Sequence, residues 1–72
     1  MKQITSREMK VLELIGQGYS SGEIAYALQI STHTVDSHRK SLMTKFDAKN
    51  AAELVRKAIQ KNVLNTNHLN HD

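Results

Sequence analysis

The chain has 72 residues, enough for one domain with a single hydrophobic core, and it has no cysteine, which excludes a disulfide framework and a zinc ribbon. No apolar run approaches the roughly 20 residues needed to span a bilayer, and no signal-peptide pattern is present, so the expected location is the cytosol. The net charge of +3 is unevenly distributed: residues 1–35 balance to zero, whereas residues 36–61 have seven Lys and Arg against three Asp and Glu.

Four stretches have apolar residues at helical spacing, and no stretch has the alternation typical of a strand. Each is preceded by a residue that can cap a helix, in chain order Thr5, Ser20 or Ser21, Ser31 or Thr32, and Asn50. Thr5 and Ser20 are each followed three residues later by a glutamate, which is the spacing of a capping box. The predicted helices cover about residues 5–17, 21–29, 32–46 and 50–61.

The second and third predicted helices are separated by Gln29–Ser31, which is long enough only for a tight turn. Ile30 in this turn is available to pack into the core. A short helix, a tight turn and a longer helix form the helix-turn-helix plan. We therefore predict an all-α fold, a four-helix bundle that contains a helix-turn-helix, although a bundle without a ligand would have the same periodicity.

The end of the chain has its own signals. Asn62 suits a left-handed position after the fourth helix, because Asn tolerates a positive φ better than most residues. Val63 and Leu64 would then fold back onto the core. The last residues have almost no apolar content and are expected to be disordered. The predicted organisation is one domain over residues 1–64 and a tail over residues 65–72.

The third helix has an apolar stripe and a polar face on opposite sides. The stripe contains Val35, Leu42, Phe46 and His38. His38 is therefore expected to be a structural histidine with a satisfied ring nitrogen. The opposite face has mostly short side chains, namely His33, Asp36, Ser37, Lys40 and Thr44. Short donors and acceptors suit a helix that approaches base edges in the major groove, and the positive charge favours phosphate, although a solvated lysine-rich surface has the same composition.

The ordered set of residues resembles the LuxR-type helix-turn-helix domain, also called the GerE or NarL/FixJ type. The matches include Thr5, Arg7, Glu8, Val11-Leu12, Gly18, Glu23-Ile24-Ala25, Leu28, Ile30-Ser31, Thr34-Val35, His38 and Lys45-Phe46. With a looser match in the fourth helix, the resemblance covers residues 4–64. It implies sequence-specific binding of double-stranded DNA in bacterial transcription regulation, as the output domain of a two-component response regulator or as a free-standing small regulator.

The resemblance implies that the third helix enters the major groove with Asp36, Ser37 and Lys40 facing the bases, and the polar face adds His33. Candidates for phosphate contacts lie near helix N-termini or beside this face, and are Ser21, Thr32, Thr34, Arg39, Thr44 and Lys45. For Arg39, a salt bridge to Glu8 or Glu23 is an equal alternative.

The fourth helix is commonly the dimer surface in the resembled family. Besides its core stripe it has a second apolar strip, which a monomer does not need. This strip and its flanking arginine comprise Ala52, Arg56, Ile59 and Val63. We expect a homodimer on DNA through these residues, the alternative being that Ile59 and Val63 lie under the C-terminal tail.

Asp36 stands where the resembled family usually has Lys or Arg, and Ser21-Gly22 where it often has Asn-Lys. An acid at position 36 can accept a hydrogen bond from cytosine N4, or it can merely repel phosphate. The alternative function is therefore a protein-interaction module of the same fold with weak or lost DNA binding.

No arrangement of residues supports catalysis, a cofactor or a metal site, and His68 and His71 in the tail are not expected to hold a metal. Tyr19 and Tyr26 are expected to pack partly against the core instead of stacking on DNA. The expected partners are double-stranded DNA, a second copy of the chain and RNA polymerase, without a membrane.

Overall fold

Four helices make up the computed structural model, which describes residues 3–65. They are α1 (Ser6–Gly16), α2 (Ser21–Leu28), α3 (Thr32–Phe46) and α4 (Ala51–Gln60). The described residues contain no strand. Every helix bound lies within one residue of the predicted one, so the all-α prediction is confirmed. No helix in this part of the chain is both long and apolar enough to cross a membrane.

Each helix begins where the cap signals predicted, because the cap side chain accepts a hydrogen bond from a free amide of the first turn. The Oε1 atom of Glu8 in turn accepts from the N–H of Thr5 at 3.0 Å. The Oε1 atom of Glu23 likewise accepts from the N–H of Ser20 at 2.8 Å. Both predicted capping boxes are therefore present, and Ser20 and Ser31 are the caps at the two positions that the sequence left open.

The turn between α2 and α3 depends on a left-handed residue, Gln29, with a φ of 56°. The N–H of Ile30 donates to the carbonyl of Ala25 at 3.1 Å, and the Ile30 side chain packs against the core as predicted. Because so few residues separate the two helices, α2 and α3 pack directly against each other.

The end of the described chain folds back onto the helices. Asn62 is left-handed, with a φ of 61°, as predicted. Leu64 is only 2% exposed and belongs to the core. Residues 66–72, which include His68 and His71, lie outside the described residues, so the disorder of the tail stays a prediction.

The core contains apolar residues from all four helices and from the segment after α4. Its buried members are Val11, Leu12, Ile15, Ile24, Ala25, Val35, Leu42, Phe46, Leu54, Ala58 and Leu64. Helix α3 is central to this arrangement because it packs against each of the other three helices. Its apolar stripe is thereby fixed inward, and its polar face is fixed outward.

Two predictions about aromatic rings are not met. Tyr26 is 89% exposed, because it lies on the side of α2 opposite Ile24 and Ala25, and Tyr19 is 44% exposed. The expectation that Tyr26 packs against the core is therefore wrong. His38 is half-buried and its ring makes no hydrogen bond within residues 3–65, so the expected partner for the ring is absent there.

Candidate nucleic-acid interface

A buried carboxylate connects α1 to α3. Glu8 is 5% exposed, and its Oε2 atom accepts a hydrogen bond from the hydroxyl of Ser41 at 2.6 Å. The ammonium of Lys45 donates to Oε1 of the same carboxylate at 2.6 Å and to the carbonyl of Gln3 at 3.0 Å. Ser41 and Lys45 are one turn apart on α3, so their shared partner resists rotation of α3 about its axis.

Glu8 is charged despite its burial. Burial by itself raises the pKa of this carboxyl, but hydrogen bonds from Lys45, Ser41 and the Thr5 backbone N–H, together with the charge of Lys45, lower the pKa from 4.5 to about 2. Sequence reasoning assigned Lys45 to a phosphate. The structure instead gives its ammonium partners inside the protein and leaves 14% of its side chain exposed.

The four residues predicted to contact bases lie together on the outer side of α3. They are His33, Asp36, Ser37 and Lys40, and all four are exposed. Their spacing of three and four residues places them on one face of the helix. Within residues 3–65, none of these side chains forms a hydrogen bond or an ion pair. The face is therefore available to a ligand.

The hydroxyl candidates for phosphate contacts differ in availability. Thr32 is exposed at the first position of α3, and Ser21 is half-buried at the first position of α2. The hydroxyl of Thr34 shares a hydrogen bond of 2.9 Å with the cap residue Ser31. The hydroxyl of Thr44 donates to the backbone carbonyl one turn earlier at 3.1 Å. Because phosphate oxygens only accept, Thr44 would have to release this carbonyl to contact one.

Arg39 pairs with neither of the acids considered for it. The carboxylate of Glu8 is taken by Lys45, and that of Glu23 accepts from the N–H of Ser20. Arg39 is half-buried and forms no ion pair within the described part of the chain. Of the two alternatives for Arg39, contact with phosphate is the one that the structure leaves open.

Sequence reasoning assigned no contact to Lys49, an exposed cation in the turn between α3 and α4. Its membership of the positively charged segment could have identified it. Two neighbouring cations have partners within the protein. The ammonium of Lys57 donates to the carbonyl of Asp47 at 2.7 Å, and Arg56 lies 3.5 Å from Glu53 in an ion pair.

Helix α4 exposes only part of the predicted dimer strip. Ala52 and Arg56 are exposed, whereas Ile59 is half-buried and packs against the core of its own chain. An apolar side chain that is half-covered has less area left for a second copy. The free strip on α4 is therefore narrower than periodicity predicted.

Val63 does not lie on α4. Its place in the strip was obtained by continuing the helical spacing, but α4 ends at Gln60 and the left-handed Asn62 redirects the chain. Val63 instead lines an open groove together with Ile4 and Met9 at the beginning of α1. Val63 therefore does not extend the apolar strip on α4, although the sequence predicted that it would.

A short helix and a longer helix across a tight turn, with an outward polar face on the longer one, define a helix-turn-helix DNA-binding domain. The family model described as bacterial regulatory proteins, luxR family, matches residues 2–58. The chain belongs to this family, whose members bind DNA in transcription regulation and are not enzymes.

Similar proteins agree with the family assignment. The oxygen regulatory protein NreC of Staphylococcus haemolyticus is 41% identical over 63 residues, covering 88% of this chain and 29% of NreC. The uncharacterized response regulatory protein YgeK of Escherichia coli is 41% identical over 61 residues, covering 85% of this chain and 42% of YgeK. The chain therefore spans less than half the length of these relatives.

Two solved structures share the fold. The response regulator ChrA of a heme-sensing two-component system superposes with a TM-score of 0.85 at 26% identity, over 89% of this chain and 32% of ChrA. VqmA of Vibrio cholerae, described as a dimer and a LuxR-type receptor, has a TM-score of 0.83 at 28% identity, over 96% of this chain and 33% of VqmA. The helical arrangement is thus that of LuxR-type domains.

Proposed function

We propose that this domain reads duplex DNA with α3 in the major groove. The base-contacting residues are His33, Asp36, Ser37 and Lys40. The observation that carries the proposal is that these four side chains on the outward face of α3 are exposed and form no hydrogen bond or ion pair within residues 3–65. A face kept polar only for solubility has no need of short side chains, whereas short donors and acceptors reach base edges closely.

Phosphate contacts would flank this face. Ser21 and Thr32 lie at the first positions of α2 and α3, where free N–H groups and the helix dipole favour an anion. Arg39 adds a guanidinium, and Thr34 and Thr44 supply hydroxyls. Lys45 has a different part in this proposal, because its ammonium holds Glu8 and thereby orients α3.

We infer that the domain acts as the output domain of a transcription regulator and binds paired half-sites as a dimer. Its relatives include proteins named as response regulators, of which the matching segment is only a part. The dimer would use Ala52, Arg56 and Ile59 on α4. A cytosolic location and a contact with RNA polymerase are further expectations of the same proposal.

Binding to duplex DNA as a function of salt concentration tests the proposal. Binding that neutralises phosphates weakens steeply as salt rises. On a sequence selected from random duplexes, Lys40→Ala is expected to weaken binding by about 1–3 kcal/mol without changing the helical CD spectrum. Lys10→Ala removes the same charge from α1 and is the matched control, expected to have little effect.

Wild-type affinity in Lys40→Ala would exclude the outer face of α3 from the interface. A chain with no salt-dependent binding to any duplex would instead favour the protein-interaction module. The absence of any Lys or Arg from residues 11–38, which include all of α2, is the observation that keeps this alternative under test.

A further inference from the structure

We propose that Asp36 reads a cytosine in the operator half-site by accepting a hydrogen bond from its N4 amino group. This inference rests on the proposed function, because it requires α3 to lie in the major groove. It goes further by naming the base that one side chain selects and the bases that it rejects.

The carboxylate of Asp36 is exposed and has no cationic partner within residues 3–65. Lys40 is four residues further along α3, a spacing that permits an ion pair, yet the two side chains do not pair. The packed neighbour α2 contributes only one charged residue, Glu23, and it is also acidic. No residue between positions 11 and 38 is a Lys or Arg. The negative charge of Asp36 is therefore not neutralised by this part of the protein.

An unneutralised carboxylate in the major groove is repelled by the phosphates on both sides. It is tolerated there only where a base edge presents a hydrogen-bond donor, because an ionised carboxylate can only accept. Among the four bases, guanine and thymine present acceptors at the major-groove edge, whereas cytosine N4 and adenine N6 are donors. Asp36 thus selects largely by rejecting guanine and thymine.

Cytosine and adenine differ in what lies beside the donor. Adenine has the acceptor N7 next to N6, so a carboxylate that approaches N6 also meets a second acceptor. Cytosine has a C–H group beside N4, which does not repel the second carboxylate oxygen. The geometry of the two edges therefore favours cytosine for Asp36.

Lys40 extends this selection to a neighbouring base. Its ammonium can only donate, which matches the O6 and N7 acceptors of guanine. Four residues of helix rise about 6 Å, so base pairs contacted by Asp36 and Lys40 would lie at most about two steps of 3.4 Å apart. A half-site with a cytosine and a guanine within about two steps of each other fits both side chains.

The test uses the site selected by the wild-type domain from random duplexes, with all four base pairs substituted at each position in turn. The wild type is expected to prefer cytosine at one position by at least about fivefold over each other base. Asp36→Asn is expected to move the preference at that position to adenine, because an amide can donate to N7 and accept from N6. Asp47→Asn removes the same charge at the end of α3, where Asn tolerates the left-handed φ of 54°, and is the matched control.

An Asp36→Asn variant that binds all sequences more tightly by one common factor, with unchanged base preference, would overturn the proposal. That result would mean that Asp36 only repels phosphate. Failure of the wild type to select any duplex would overturn the proposed function itself, and the inference with it. Helical CD spectra of both variants that match the wild type establish that each is folded.

Discussion

The carboxylate of Glu8 accepts hydrogen bonds from the cap residue of α1, Thr5, and from Ser41 and Lys45 on α3, which links its ionisation to the stability of the fold. In the unfolded chain its pKa returns to 4.5, so the unfolded chain binds a proton first as the pH falls. The stabilising contribution of Glu8 is therefore complete above pH 4.5 and is lost as the pH falls towards about 2. A shift of this size corresponds to roughly 3 kcal/mol at neutral pH.

The variant Glu8→Gln tests this link. We expect it to lower the free energy of unfolding at pH 7 by roughly 3 kcal/mol, because the ammonium of Lys45 would stay in its largely buried place without a counter-charge. The variant should also lose the part of the pH dependence of stability between 4.5 and about 2 that Glu8 contributes. Urea unfolding followed by CD over this range measures both effects.

A second variant controls for the unpaired ammonium. Glu8→Gln combined with Lys45→Met removes both charges, and we expect it to recover part of the stability that Glu8→Gln loses. If either variant kept the acid dependence of the wild type, another carboxylate would be responsible for it.

At the scale of the helices, the sequence predicts most of the architecture, because capping and periodicity act over three or four residues. The caps Thr5 and Asn50 and the outward face of α3 are predicted for this reason. The pairing of Glu8 with Lys45 is not, because the two residues are 37 positions apart and meet only through the packing of α1 on α3.

The turn after α2 illustrates a second limit. The sequence shows how long this turn is. It does not show that Gln29 adopts the left-handed conformation, because glycine is the residue that usually marks this conformation. Val63 shows a third limit, because helical spacing was continued to it past Asn62, the residue that already marked the end of the fourth helix. For Gln29 and for the pair of Glu8 and Lys45, the decisive factor is a backbone conformation or a distant contact, which the residue pattern does not show.

Relief of backbone strain at Gln29 gives a prediction for this turn. A side chain in the left-handed region costs about 1 kcal/mol, which glycine avoids at the expense of a more flexible unfolded chain. We expect Gln29→Gly to raise the free energy of unfolding by up to about 1 kcal/mol and to leave DNA affinity unchanged. Thermal unfolding of the two proteins measures the change.

The matched control is the glycine substitution at Gln17, the residue after α1. Its φ of −84° lies outside the left-handed region, so no such strain is present there. There the flexibility of glycine has no compensating benefit, so Gln17→Gly should lower stability by roughly 0.5 kcal/mol. Changes of the same sign at both positions would show that strain at Gln29 does not limit the fold.

At the scale of the whole molecule, we propose that DNA contact and self-association use different helices, so each can be altered separately. The dimer strip on α4 has few exposed members, since Ile59 is half-covered by its own chain and Val63 lies elsewhere. Stable interfaces bury about 1,000 Å² or more in total, which so small a strip does not supply. We therefore expect a monomer in solution that dimerises on paired half-sites, where DNA holds two copies side by side.

Ala52 is the position at which this expectation is tested most cleanly. It is exposed, so a substitution leaves the core intact, and its small side chain would let two symmetry-related helices approach closely. We expect Ala52→Glu to bind a single half-site as the wild type does but to lose cooperative binding to paired half-sites, because two glutamates would meet across the twofold axis. Ile59→Glu should do the same at some cost in stability, since Ile59 also packs against the core.

Titration of duplexes with one and with two half-sites measures the cooperativity of both variants. The single half-site is the control for any general loss of DNA affinity. Cooperative filling of both half-sites by Ala52→Glu would place the dimer surface on another part of the domain.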